Sequence, residues 1–301
     1  LLIGSILLLS AAANAQIEIT LKKSFIERFK NRVTIKAAFT VDKAHKNVNP
    51  PSKDGDMHIA GRSAAIGLAT VAELMNAKFE SPSVSLIRSV EGTGQTVNLS
   101  GVWRLWCEHS GGAHQVQGKP LKPFNTTNPD HVFEVHPITA LNGESVVKSL
   151  IPIAGFKTKD AEQAFTIYER IDSQIIPGTT TVKLITEMAG FNYVEFILRL
   201  NEDEQFVVED GRMVFASVHD LDGNLLVRNR RMVFVKDSEP EKRVKSLKKG
   251  DALHVLGVPR INLALVSWRI NNFKKNPGVL NWNLPYEIIV VGVYPDTPEI
   301  E

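Results

Sequence analysis

From residue 33 to residue 41 the side chains alternate, with Val33, Ile35, Ala37, Phe39 and Val41 on one parity and Thr34, Lys36, Ala38 and Thr40 on the other. A two-residue period marks a strand with one buried face, because successive Cβ atoms leave a strand on opposite sides. The period returns along the chain. Residues 56–60, 84–90, 95–109 and 131–136 read as strands, as do residues 194–200, 212–219, 225–228, 231–236, 252–258, 263–270 and 286–294. Turn chemistry separates them at Lys53-Asp54-Gly55, Gly92-Thr93-Gly94 and Asp222-Gly223, the last a hairpin signal. Residues 159–171 predict a helix, with Ala161, Ala164, Phe165 and Tyr168 along one face. Residues 65–78 fit both templates: Leu68, Thr70, Ala72 and Leu74 keep strand spacing, while Ala69, Val71, Ala72, Leu74 and Met75 keep helical spacing.

The predicted class is therefore all-β with a minor helical part. Composition sets the scale: 301 residues, 43% apolar and 23% charged, are globular values that give two domains with cores of their own. The domains are expected at residues 16–148 and 149–301, joined through residues 148–155. Lys248-Lys249-Gly250-Asp251 feeds an apolar strand that ends at Gly257, a device of small barrels. We expect two OB-like Greek-key β-barrels. Residues 110–130 form a long polar loop rich in Gly and Pro, of the kind that often carries function.

Residues 1–9 are uncharged and apolar, and Ala13-Asn14-Ala15 precedes Gln16 in the small-x-small pattern of a signal-peptide cleavage site. Residues 1–15 are read as such a leader, cut short at its start, and the mature product as secreted or periplasmic. No later run reaches the ~18 apolar residues of a transmembrane segment. The single cysteine, Cys107, shares strand parity with Trp103 and Leu105 and is read as a small core residue.

Three motifs of the first half stand in order: Asp54-Gly55-Asp56-Met57-His58, then Trp103-Arg104-Leu105-Trp106-Cys107-Glu108-His109, then Phe133-Glu134-Val135-His136-Pro137. Over roughly residues 30–145 this resembles a group of uncharacterised bacterial OB-like domains with Asp-Gly-Asp-x-His and Glu-x-His-Pro motifs. The resemblance implies the fold and no established reaction. The loop after His109 is longer and more polar than that group's, and the second domain is additional.

Strand parity sorts these polar residues. With Met57, Ile59, Phe133 and Val135 turned inward, Asp56, His58, Arg104, Trp106, Glu108, Glu134 and His136 share one outer wall of the first barrel. Three readings compete for that wall. It is a solvated or hydrogen-bonded face whose carboxylates orient the imidazoles; or a ligand groove with Trp106 as stacking platform, as OB barrels use for oligonucleotides and oligosaccharides; or a metal site of His58, Glu134 and His136. The second half segregates charge. Residues 201–222 hold seven acids and one base, and residues 228–249 hold nine bases and three acids. Arg228, Arg230, Arg231, Lys242, Arg243, Lys245, Lys248 and Lys249 are the candidate patch for an anionic polymer, nucleic acid or acidic glycan. Solvated loops that pair with each other are the simpler account. Trp268 shares strand parity with Val266 and Ile270 and is expected in the core. The functional expectation is an exported, non-enzymatic binding or scaffolding protein without cofactor, whose partner is such a polymer or another protein. The alternative is a metal-dependent hydrolase.

Overall fold

The computed structural model describes residues 16–109, 114–273 and 280–298. The leader expected at residues 1–15 lies outside them. The chain opens with β1 (Gln16–Lys22) and α1 (Lys23–Phe29). A first barrel follows, built from β2 (Thr34–Ala44), β3 (Met57–Arg62), β4 (Thr70–Leu74), β5 (Thr96–Leu105) and β7 (Phe133–Leu141). Between these lie α2 (Ser81–Val90) and the short β6 (His114–Val116), and β8 (Glu144–Ser145) forms a hairpin on β7. Next come α3 (Ala161–Arg170), β9 (Asp172–Pro177) and β10 (Thr181–Glu187). A second barrel takes β11 (Val194–Leu200), β13 (Gly211–His219), β14 (Leu225–Val235), β15 (Ala252–Ile261) and β17 (Tyr286–Val293). The strand β12 (Phe206–Val208) pairs on β13, α4 (Glu239–Val244) joins β14 to β15, and α5 (Leu263–Asn272) and β16 (Leu280–Asn283) fill the last connection.

Both barrels close by the same circuit. In the first, β2 pairs with β3 and β5, β3 with β4, β5 with β7, and β4 with β7 in parallel. In the second, β11 pairs with β13 and β15, β13 with β14, β15 with β17, and β14 with β17 in parallel. With strands counted 1 to 5 along each barrel, the order is 1-2-3-5-4 and back to 1 in each, with a helix between the third and fourth. That is the five-stranded OB arrangement. Where β5 crosses β7 the ladder slips at Gly101. A Cβ there would lie 2.3 Å from Val135 Cγ1 and 2.8 Å from the Pro137 carbonyl, so only glycine admits this approach.

A third sheet, in the order β16-β9-β10-β1-β6, draws strands from both sides of the 148/149 boundary. Its inner face carries Ile17, Ile19, Leu21, Ile175, Val182 and Leu184, all buried. The segment left open at 65–78 contains a strand, β4.

Two predicted strands are helices. Residues 84–90 belong to α2, where Pro82 suits the first turn and Val84, Ile87 and Val90 bury one face at three-residue steps. Residues 263–270 belong to α5, which begins where the Asn262 side chain accepts the Leu265 amide at 2.9 Å. Helical spacing there buries Leu263, Val266 and Ser267 and leaves Trp268 54% exposed, so Trp268 is a surface residue. Among the described residues no helix is long and apolar enough to cross a membrane.

The two barrels pack outer wall against outer wall. Val33, Met75 and Val102 from the first meet Met213, Val233, Leu256, Val258 and Ile289 from the second in an apolar core separate from the barrel interiors. Two fully buried guanidinium groups fix this contact. Arg104 donates to the Pro259 carbonyl at 2.8 Å. Arg260 donates to the Trp103 and Val33 carbonyls at 3.0 and 3.2 Å and to Glu287 at 2.6 Å, and stacks on the Trp103 ring at 3.6 Å.

Candidate functional site

The strand parities hold, and they bring the predicted wall together. Register places Arg104 opposite Glu134 across β5 and β7, and His58 opposite Glu73 across β3 and β4. Arg104 hydrogen-bonds Glu134, and Arg104 Nη2 donates to Glu108 at 3.0 Å. Glu134 Oε1 lies 3.2 Å from His131 Nε2, and its other oxygen 3.5 Å from His136 Nδ1. His136 Nδ1 is 3.2 Å from Glu73 Oε2, while His136 Nε2 is 2.8 Å from the Tyr193 hydroxyl and 3.7 Å from Asp56 Oδ2. Tyr193 also hydrogen-bonds Asp56.

This wall is not a solvent face. Asp56, Arg104 and His136 are fully buried, and Glu73, Glu134 and Trp106 nearly so. The second barrel and the segments leading to it supply the cover: Pro259 over Arg104, Tyr193 over His136, and Tyr168, whose ring meets Trp106 edge-on at 5.5 Å. Trp106 is therefore packed rather than displayed, and the solvated wall and the open stacking groove give way to an enclosed polar network. Only His58 and Glu108 of the seven predicted residues keep partial exposure. His58 stacks on His45 at 4.6 Å and sits 3.8 Å from Glu73 Oε1.

Burial and neighbours set the charges. Burial raises the Asp56 carboxyl well above its ordinary range. Burial works the same way on Glu134, but the Arg104 guanidinium outweighs it and holds Glu134 well below the usual range. Burial pulls the His136 imidazole down, and Glu73, Glu134 and Asp56 overcome it, lifting the ring to about 9. His131 is raised against burial by Glu134.

Three members of this network were not singled out from the sequence. Glu73 lies in the segment that fits two templates; reading it as a strand with Ala72 and Leu74 inward turns Glu73 outward beside His58. His131 stands three residues before Glu134. Tyr193 comes from the start of the second barrel, and no local pattern ties it to His136.

The basic stretch divides. Arg231 is buried on Glu287, and Arg230 pairs with Glu169 and lies 4.1 Å over the Tyr286 ring. Both are structural and leave the candidate patch. Arg228, Lys242, Arg243, Lys245, Lys248 and Lys249 are exposed. Cys107 is buried in the core, and burial pushes its thiol up to about 12.

A second place has the shape of a ligand site. An open cleft of about 550 Å³ lies at one end of the third sheet, lined by Gln174, Thr186, Asn281 and Trp282 together with Asp172 and Glu187. Trp282, 37% exposed, continues into a surface strip of aromatic rings. Phe273 lies 4.7 Å from it, and Trp268 is 5.9 Å from Phe273. Arg269 rests over the Trp282 ring at 4.9 Å.

No family model and no curated protein matches the chain. A solved structure described as "Structural mimicry for functional antagonism" aligns over 75% of this chain and 83% of that chain, at 10% identity and a TM-score of 0.17. At that score the likeness carries no argument.

Proposed function

We propose that this chain is an exported, non-enzymatic binding protein that takes a neutral oligosaccharide in the cleft of the third sheet. The observation that carries this reading is the lining: the exposed Trp282 on the edge strand, with the amide side chains of Gln174 and Asn281 on the same pair of strands. An aromatic ring offers a flat apolar surface for the C–H face of a sugar, while Gln174 and Asn281 exchange hydrogen bonds with its hydroxyls. Among the described residues the lining carries the acid Asp172 and no lysine or arginine, which favours a neutral ligand over a polyanion. The strip Trp282–Phe273–Trp268 lengthens the surface beyond one sugar ring. The two barrels, locked by Arg104 and Arg260, serve as the rigid body that holds the third sheet.

Affinity electrophoresis through gels containing dextran, mannan, β-glucan or heparin tests the proposal. Retardation by a neutral polysaccharide, reduced at least about tenfold in Trp282→Ala and in Asn281→Ala, is the expected result; roughly 1–3 kcal/mol per stacked ring gives that scale. No retardation by any neutral glycan, or retardation only by heparin or an oligonucleotide, overturns it. The hydrolase alternative requires a substrate to reach Glu134 and His136. These groups are enclosed, whereas a catalytic metal keeps an open coordination position.

A further inference from the structure

We infer that the space between Asp56, Glu73 and His136 is a structural divalent-cation site of the zinc type, inside the wall where the barrels meet. One ligand atom from each residue lies within 4.8 Å of the other two, and all three residues are buried. An acidic cluster alone would not carry the inference. The second observation is that His136 Nδ1, in a fully buried ring, makes no hydrogen bond, although Glu73 Oε2 and Glu134 Oε2 stand 3.2 and 3.5 Å from it. The contact with Glu73 has the separation of neighbouring ligands rather than the alignment of a donor and its acceptor. Metal–ligand bonds of ~2.0–2.2 Å in a tetrahedral site set adjacent ligand atoms ~3.3–3.6 Å apart.

Charge points the same way. Among the described residues Glu134 pairs with the Arg104 guanidinium, while Asp56 and Glu73 have imidazoles and no lysine or arginine in an ion pair with them. With the imidazole neutral, as a metal ligand is, the buried carboxylates of Asp56 and Glu73 need a positive partner, and a divalent ion beside them supplies it in place of the proton. One imidazole with carboxylate oxygens suits zinc. The Tyr193 hydroxyl, on both Asp56 and His136, would orient those ligands from the second domain and make the ion part of the joint between the barrels. The ion is structural because the ligands are closed to solvent. This inference is independent of the oligosaccharide reading.

The full chain is unfolded with chelator present, then refolded with and without Zn²⁺, desalted, and assayed for metal by mass spectrometry and for Tm. The expected result is about one zinc per chain and a Tm several degrees above the chelated protein. Glu73→Gln, which keeps the side-chain shape, and His136→Gln are expected to lose the zinc. Co²⁺ in place of zinc should give the visible absorption of a four-coordinate site in the wild type and none in Glu73→Gln. Should His136→Gln fail to fold, Glu73→Gln with a native circular dichroism spectrum decides the matter. A wild type that retains no metal after refolding in excess Zn²⁺, or a folded Glu73→Gln that retains as much as the wild type, overturns the inference. The glycan-binding test does not bear on either outcome.

Discussion

Arg260→Met is the substitution that most directly tests how the barrels are held together. The guanidinium is wholly buried and donates to Glu287 at 2.6 Å and to the carbonyls of Trp103, Val33 and Arg32 at 3.0, 3.2 and 3.3 Å. Removing one partner of a buried pair costs about 3–5 kcal/mol. Glu287 keeps Arg231, so the lower end of that range applies here. The carbonyls lose a donor at about 1 kcal/mol each, and the stack on Trp103 loses about 1–2 kcal/mol more. A methionine returns about 2 kcal/mol of apolar burial. The net expectation is a loss of about 5–6 kcal/mol, read as a urea midpoint lowered by roughly 2 M at a slope of about 3 kcal/mol per M. Because the carbonyl bonds and the stack on Trp103 run from the second barrel to the first, the transition should also broaden or split as the barrels lose their coupling. Lys43→Met breaks the Lys43–Glu91 pair, 2.7 Å long but half-exposed at the lysine, and serves as control at under about 1 kcal/mol. An Arg260→Met midpoint within that control's range, with one sharp transition, would refute the account of the interface.

Three further outcomes follow from the burial pattern. In metal-free protein the His136 ring is held at about 9 by Glu73, Glu134 and Asp56 against burial, with Arg104 and Tyr193 also close to the network. Since the folded value is raised above the ordinary ~6.5, its stabilisation is full below about pH 6.5 and is lost as pH rises through 9. The raised carboxyl of Asp56 acts in the same direction. Tm should therefore fall between about pH 7 and 10, and His136→Gln should flatten the profile; an unchanged slope would contradict the assignment. Cys107, pushed up to about 12 by burial, should resist a thiol reagent at about pH 8 until urea unfolds the chain, and rapid native labelling would show the strand misplaced. Trp106→Ala should cost about 3–5 kcal/mol and Trp268→Ala under about 1, the reverse of what strand parity gives for these two residues, with equilibrium unfolding as the measurement.

Parity was the legible part. Met57, Ile59, Phe133 and Val135 do turn into the first barrel, and the residues between them do form one wall. The alternation fixes a side chain's face within its own strand, and nothing in it names what packs on that face. Alternation thus puts Arg104, Trp106 and His136 on the outer wall, where the structure has them, and is silent on whether water or a second barrel covers it. The helical errors share one cause: Val84, Ile87 and Val90, like Leu263 and Val266, are spaced in short runs where strand and helix periods overlap, and the deciding evidence was Pro82 and the Asn262 cap. The third sheet was invisible for a different reason. Its β1 and β10 are joined by register between Ile19 and Leu184, a pairing across the 148/149 boundary that no local window contains.

The buried wall also has a physical logic as an interface. Aliphatic contact among Val33, Val102, Val233, Val258 and Ile289 supplies the driving force for association but tolerates sliding of one barrel over the other. The directional bonds remove that freedom: Arg104 must meet the Pro259 carbonyl, Arg260 the carbonyls of Val33 and Trp103, and Tyr193 both Asp56 and His136. A displaced register would keep the ion pairs inside each barrel but strip both guanidinium groups of their carbonyl acceptors and Asp56 and His136 of the Tyr193 hydroxyl, at about 1–3 kcal/mol for each buried group left unpaired. Polarity at this joint therefore specifies a single arrangement more than it adds stability. The carboxylates around His136 need a positive partner for a related reason, whether a proton on the imidazole or an ion beside it: Asp56, Glu73 and Glu134 share one wall of the first barrel, and without that partner their repulsion would loosen the surface on which Tyr193 docks.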